Sequence, residues 1–293
     1  MLKHNLLLIF KSRLTIIIFS ILVVVTLGYT FLDIYFAFSK IGSIGKVFNG
    51  EYMITKPYAA SSFSLFYEDF SALLFLIVPI SLCFIFSKSN EYETVCKLRG
   101  NNVKKRIVEV LSVSIVITII FLFLYLISLF SYYFTMGFEV EPWCLSYYKG
   151  EIDNLNNSII YLKDNYFLRE LFWSNNGKNN IFFFIISGLI TSILYFSSVF
   201  TAGMFAQLFK NQFRLWAYIV FTFLFFYGLS LDIFSNVYLG IVELSKVVSM
   251  HTDIYIKSIF VYILICILLS TLFFGIRILI DKKPKEGGIK YEN

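Results

Sequence analysis

Histidine and cysteine are scarce in this chain, which contains only His4, His251, Cys83, Cys96, Cys144 and Cys266. No HExxH, CxxC or Ser–His arrangement can be assembled from residues so few and so widely spaced. Their spacing argues against a zinc site and against an intrachain disulfide framework. It also makes an intramembrane enzyme the weakest of the functional alternatives, and we expect no cofactor.

Charged side chains are also few, at 15% of the chain against 58% hydrophobic ones, and the interiors of six long apolar stretches have none. Each stretch has the roughly 17–20 residues that cross about 30 Å of hydrocarbon as a helix. The sequence predicts an all-α polytopic membrane protein, a single domain over 1–293, with spans at 14–38, 70–87, 107–135, 181–209, 215–231 and 254–280.

No ionisable side chain is expected at mid-membrane, because Asp33 falls near the far interface of the first span. Ion- and proton-driven transporters usually keep such a group there to hold the coupling ion. If this protein moves a substrate uphill, we therefore expect another subunit to supply the energy.

The basic residues set the predicted orientation. With six crossings, 16 of the 25 Lys and Arg lie on one side, in 1–13, 88–106, 210–214 and 277–293. The positive-inside bias predicts that this side is cytoplasmic. Both termini then lie on the cytoplasmic side of the cell (plasma) membrane. The net charge of +6 thus indicates topology and contact with anionic membrane lipids, and not a nucleic-acid partner.

Two features of the spans concern packing. Small residues four apart in the fourth span, Gly188 with Ser192 and Ser198 with Ala202, with Gly203 next, permit close helix contact. Aromatic residues are abundant, and we expect interfacial positions for Tyr29, Tyr35, Tyr132, Tyr133, Trp143 and Trp216.

The loop between the second and third spans has the features of a short amphipathic helix. Ser89 or Asn90 can cap its start, and Gly100 is a typical C-terminal stop. On that helix one face carries Tyr92, Val95, Cys96 and Arg99. Such a helix can dock on a cytoplasmic partner, and the alternative is a solvated connector.

Residues 88–109 resemble the coupling-helix loop of type-2 ABC exporter permeases, an E-x-x-x-G-T-x-x-x-L-[KR] segment followed by a basic step into the third span. The matching positions are Glu91 or Glu93, Thr94, Leu98, Arg99 and Arg106. The glycine before the threonine is absent, and Glu109 stands where the family often has a lysine. Residues 206–213 resemble the family's inner turn between the fourth and fifth spans, and residues 10–13 resemble its basic N-terminal segment.

The resemblance implies a permease dimer, made with a second copy or a homologous permease, that grips separate ABC ATP-binding subunits at the cytoplasmic face. The residues expected to couple to the ATPase are Glu91, Tyr92, Glu93, Val95, Cys96 and Arg99. No substrate-binding residue follows from the resemblance. The chain itself has no phosphate-binding loop, because Gly42–Lys46 fails the GxxxxGK[ST] spacing and is expected to form a turn.

Two further segments differ from ordinary loops. The apolar face over 232–253 predicts an interfacial or re-entrant helical segment before the last span, which in the resembling family closes the outer gate; interfacial packing alone is the alternative. Residues 136–180 are expected to form a helix that rests on the outer leaflet and covers the bundle, and contact with substrate is the alternative. The expected function is export of an amphiphilic peptide, antibiotic or lipid, and the alternative is a non-transporting scaffold or sensor subunit.

Overall fold

The computed structural model describes residues 2–44, 102–137, 180–209, 211–227 and 253–282, together with Ala59, Ser62, Phe63, Phe66 and Val78. All regular structure in these ranges is helical. The helices are α1 (Leu2–Lys11), α2 (Arg13–Ile44), α3 (Asn102–Met136), α4 (Asn180–Ala206), α5 (Asn211–Tyr227) and α6 (Asp253–Lys282).

Four of these helices are long and apolar enough to cross a membrane, over Arg13–Ser39, Arg106–Met136, Phe184–Ala206 and Ile259–Ile280. A helix satisfies its own backbone hydrogen bonds, which hydrocarbon cannot do, so apolar stretches of this length fold as helices. The four fit a multi-pass membrane protein. They confirm the predicted spans 14–38, 107–135, 181–209 and 254–280 to within a few residues.

The other two predicted spans are not confirmed. Residues 70–87 lie outside the described residues except for Val78. The fifth stretch, 215–231, falls partly on α5, whose 17 described residues cover about 25 Å. Residues 228–231, the predicted coupling segment, residues 138–179 of the predicted outer loop and residues 232–252 of the predicted helical segment also lie outside the described residues.

The helix boundaries have local causes. At Ser12 the backbone N–H donates to the Ile9 carbonyl at 3.2 Å, while the Ser12 carbonyl accepts from Ile16 at 3.1 Å, so one helix ends and the next begins there. Helix α3 ends at Gly137, whose φ of 86° is the left-handed conformation typical of a helix stop. The turn expected over Gly42–Lys46 is wrong in its first part, because α2 continues to Ile44.

Helices α3 and α4 form the centre of the bundle. About half of each span is buried, 50% and 53%, against 22% for the spans in α2 and α6. The core between them includes Phe121 of α3 with Tyr195 of α4, whose rings lie 4.5 Å apart between centroids. The apolar residues that α2 and α6 leave exposed are suited to hydrocarbon, which makes these two helices peripheral.

Contacts between helices fix their directions. Phe19 of α2 meets Phe123 of α3, and further along Asp33 meets Tyr132, so these two helices run parallel. Helix α4 runs antiparallel to α3, as contacts of Gly188 with Tyr125 and of Gly203 with Val110 show. Helix α6 runs parallel to α4, because Ser198 meets Tyr262 and Phe205 meets Phe273.

The starts of α2 and α3 and the ends of α4 and α6 consequently share one end of the bundle. We call it the basic end, because the charged side chains there include Lys11, Arg13, Arg106, Arg214 and Arg277. Helix α1 is also at this end and packs against α2 and α3. Asp33 lies toward the opposite end of α2.

Candidate functional site

The predicted coupling residues cannot be placed in the fold. Glu91, Tyr92, Glu93, Val95, Cys96 and Arg99 all lie outside the described residues. The described chain resumes at Asn102, where α3 begins, and Arg106 stands at the basic end of its span. The segment that carries the six residues therefore directly precedes, in the sequence, the helix end at which Arg106 lies.

Asp33 is the one acidic side chain that the described part of the chain places within an apolar span beyond its first or last turn, six residues from the end of Arg13–Ser39. It is partly exposed, whereas Thr30 and Ile34 beside it are buried against the bundle. A carboxylate in such surroundings is costly unless polar partners receive it, and it therefore marks a candidate functional position.

Tyr132 of α3 is the partner of this carboxylate. Its hydroxyl donates a hydrogen bond of 2.5 Å to Asp33 Oδ2, and the tyrosine side chain is fully buried. One turn further toward the basic end, the Thr30 hydroxyl donates to the Thr26 carbonyl at 2.7 Å, and its oxygen also lies 3.1 Å from Ser128 Oγ, within hydrogen-bond distance. Two polar contacts thus hold α2 and α3 in register toward the end of the bundle opposite the basic end.

An aromatic cluster packs around the Tyr132 ring. Phe63 lies at the centre, with its ring 5.4–5.6 Å from three others, and Phe66 bridges Tyr132 and Tyr29 at 5.3 and 5.5 Å. The members are Tyr29, Phe63, Phe66, Tyr125, Tyr132 and Phe184. Edge-to-face pairs of this kind stabilise each contact by about 0.5–1.5 kcal/mol beyond burial. The cluster therefore holds Tyr132 rigidly beneath the carboxylate.

A second polar seam joins α4 and α6. Ser198 and Tyr262 share a hydrogen bond between their hydroxyls, and Thr201 lies 3.0 Å from Ser270 Oγ and 3.3 Å from the Cys266 carbonyl. Each of these hydroxyls forms hydrogen bonds within its own helix or to the neighbouring helix. Among the described residues, none lies beside a side chain that could act as its general base. The seam is suited to fixing two neighbouring helices and not to catalysis.

The chemistry of the site follows from these groups. Among the described residues, no three His, Cys, Asp or Glu side chains come close enough to hold a metal ion. The carboxylate of Asp33 and the aromatic rings beside it can attract a cation, by charge and through the ring faces. The arrangement can therefore bind a cation.

Sequence reasoning found some of this site and missed the rest. It placed Asp33 near the far interface and predicted close helix contact at Gly188 and Gly203, which is confirmed: a Cβ on Gly203 would lie 2.6 Å from Val110 Cγ1. Tyr132 and Tyr133, also expected at the interface, are buried within the bundle, and their depth in the membrane stays a prediction.

The pairing of Asp33 with Tyr132 and the role of Phe63 were not predicted. The available signal was an acid inside an apolar stretch, which requires a polar partner. Helix α1 was missed as well, although its apolar residues Leu2, Leu6 and Ile9 recur at helical spacing. Of the remaining expected interfacial aromatics, Tyr29, Tyr35 and Trp216 are exposed.

Comparison with protein-family models, with curated proteins and with solved structures gives no match for this chain.

Proposed function

We propose that this protein is the permease subunit of an ATP-driven exporter of the type-2 ABC class, which moves an amphiphilic substrate out of the cell. One observation carries the proposal: in the middle of the four membrane-length helices no Asp, Glu, Lys, Arg or His is present. Asp33 lies six residues from the end of the first of these spans, so no side chain at mid-membrane is placed to hold a coupling ion. In the proposal the energy therefore comes from a separate ATP-binding subunit.

The helix directions support the six-span plan of that class. Because α2 and α3 run parallel, the chain between them has to return to the basic end before α3 begins. A crossing at 70–87, where the sequence has its second apolar stretch, accounts for that return. In the proposal α5, extended to residue 231, supplies the fifth crossing.

The basic end is the cytoplasmic side in this proposal. Arg13, Arg106, Arg214 and Arg277 gather there on four different helices, as the positive-inside bias requires. Both termini are then cytoplasmic and the membrane is the plasma membrane. The loop over 88–106 leads into the same end, which is where an ATP-binding subunit would dock.

Residues 90–100 are the coupling element in this arrangement. Tyr92 and Arg99 supply an aromatic anchor and a charged rim to the face that meets the ATPase, while Glu91 and Glu93 pair with its basic residues. Two permease copies and two ATPase subunits make up the transporter. ATP-driven closure of the ATPase pair pushes this element and opens the path on the other side.

The test is a triple variant, Glu91→Ala, Tyr92→Ala and Arg99→Ala, in the full chain. Loss of an interface anchor weakens association by about 1–4 kcal/mol, so we expect normal membrane levels, reduced co-purification of an ATPase and loss of ATP-dependent export. A matched control, Lys88→Ala with Lys97→Ala, removes two charges from the same segment outside the predicted docking face. It should change neither the co-purification of the ATPase nor the export.

Three outcomes would contradict the proposal. ATPase association and export that are unchanged in the triple variant would make the loop a connector. Transport that runs on a pH gradient without ATP would defeat the energy argument. A purified protein with no associated ATPase would favour the scaffold or sensor alternative.

A further inference from the structure

The surface of α2 around Asp33 differs from the rest of the exposed helix. Tyr29 and Phe36 precede and follow Asp33 by four and three residues, a spacing that places all three residues on one face of the helix. Both aromatic residues are about half exposed, at 43% and 51%. A partly exposed carboxylate therefore shares a helix face with two half-exposed aromatic residues, within a helix surface that is otherwise apolar.

The negative charge of this carboxylate is not neutralised by its partner. Tyr132 donates a hydrogen bond to Oδ2 but brings no positive charge. Among the described residues, Oδ1 accepts no hydrogen bond and no basic side chain forms an ion pair with Asp33. A charge at this depth is costly to maintain, and a cation that arrives with its own apolar body would offset that cost.

We propose that Asp33, Tyr29 and Phe36 form a binding subsite for the cationic group of an amphiphile. The carboxylate attracts the charge, and the two ring faces hold it by cation–π contact. The apolar body of the ligand lies along the exposed side chains of the same helix face, such as Val25. Tyr132 and the aromatic cluster behind it keep the carboxylate in place.

This inference rests on the proposed function only where it treats the ligand as cargo. In that case the exported substrates are cationic amphiphiles, since the subsite carries a carboxylate. The subsite lies toward the end of the bundle opposite the basic end, which is the outer side in the proposed topology. Binding itself requires no ATPase. It can be measured on the full-length protein alone.

The experiment compares two ions of the same shape and opposite charge, tetraphenylphosphonium and tetraphenylborate. Equilibrium binding is measured on full-length protein in phosphatidylglycerol nanodiscs, with empty nanodiscs as the blank. We expect specific binding of the phosphonium and none of the borate. A protein that binds neither ion above the blank, or both equally, would overturn the inference.

Variants locate the subsite. Asp33→Asn keeps the size and the acceptor for Tyr132 but removes the charge, and it should weaken phosphonium binding about tenfold or more, while Asp33→Glu should retain it. Phe36→Leu, which leaves the aromatic cluster intact, should weaken it about two- to fivefold, the loss expected for one exposed cation–π contact. Phe31→Leu is the matched control, because Phe31 is also half exposed but sits on another side of the helix, and it should change nothing.

If wild type and Asp33→Asn are both well folded and bind the phosphonium equally, the subsite is refuted. If Asp33→Asn does not fold, the comparison of Phe36→Leu with Phe31→Leu still decides: an equal effect of the two refutes the proposal. Loss of binding here leaves the permease proposal standing, and loss of ATPase association leaves this subsite standing.

A cationic head group can come from a lipid or from a free amphiphile. Repeating the measurement in nanodiscs that contain phosphatidylethanolamine separates the two sources. Competition that depends on Asp33 identifies a lipid head group as the occupant. Unchanged phosphonium affinity identifies a free amphiphile.

Discussion

Substitution of Gly188 by alanine tests the close packing of α3 against α4. A Cβ at this position would lie within 3 Å of three atoms of the Tyr125 ring. That ring cannot move aside easily: it is 2% exposed, its hydroxyl donates to the Phe184 carbonyl at 2.7 Å, and Phe63 packs edge-on at 5.4 Å. We therefore expect Gly188→Ala to destabilise the bundle.

The magnitude is best taken as a difference between two variants. Gly28 lies on the exposed side of α2, and a Cβ there would meet no atom within 4 Å. Both substitutions gain the preference of alanine for helices, about 1 kcal/mol, whereas Gly188→Ala alone incurs the overpacking cost of about 1–3 kcal/mol. Gly188→Ala should thus be less stable than Gly28→Ala by about 1–3 kcal/mol.

The assay is thermal unfolding of the full-length protein in detergent micelles, with wild type, both alanine variants and each of them combined with Tyr125→Leu. In the Tyr125→Leu background the cost of Gly188→Ala should fall, because the ring atoms that the added methyl group meets are gone; a double-mutant cycle isolates that term. If Gly188→Ala melts at or above Gly28→Ala, the close contact between α3 and α4 does not exist and the reasoning fails.

Two further predictions concern topology and the α4–α6 seam. After replacement of the native cysteines, a membrane-impermeant thiol reagent added to intact cells should label Leu155→Cys and not Asn102→Cys, because the proposed topology places the more basic side in the cytoplasm. The reverse result would invert that topology. Ser198→Ala and Tyr262→Phe each remove one partner of an interhelical hydrogen bond, which in membranes contributes about 0.6 kcal/mol on average. Their combined effect on stability should therefore be smaller than the sum of the two, and strict additivity would show that the contact contributes nothing.

The helical character and the membrane length of four segments could be read from the sequence, since apolar runs free of charge have few other stable forms in a bilayer. The small residues of the fourth span also predicted close contact correctly, because Gly188 and Gly203 allow backbones to approach whatever the partner. The second and fifth spans, the coupling segment and the dimer stay predictions. The coupling segment and all of the second span except Val78 lie outside the described residues, and the fifth span is described only as far as Tyr227. The dimer requires a second chain.

What the sequence determined by itself is the length of the apolar runs, the concentration of basic residues in a few of the segments that flank them and the isolation of Asp33 from other charges. Each depends only on residue type and position along the chain. The tertiary structure decided which side chains meet across helices. Tyr132 reaches Asp33, and Phe63 packs against it, because α2 and α3 run parallel in one particular register. Register follows from how neighbouring helix surfaces interlock, and nothing in the spacing along a single helix determines it.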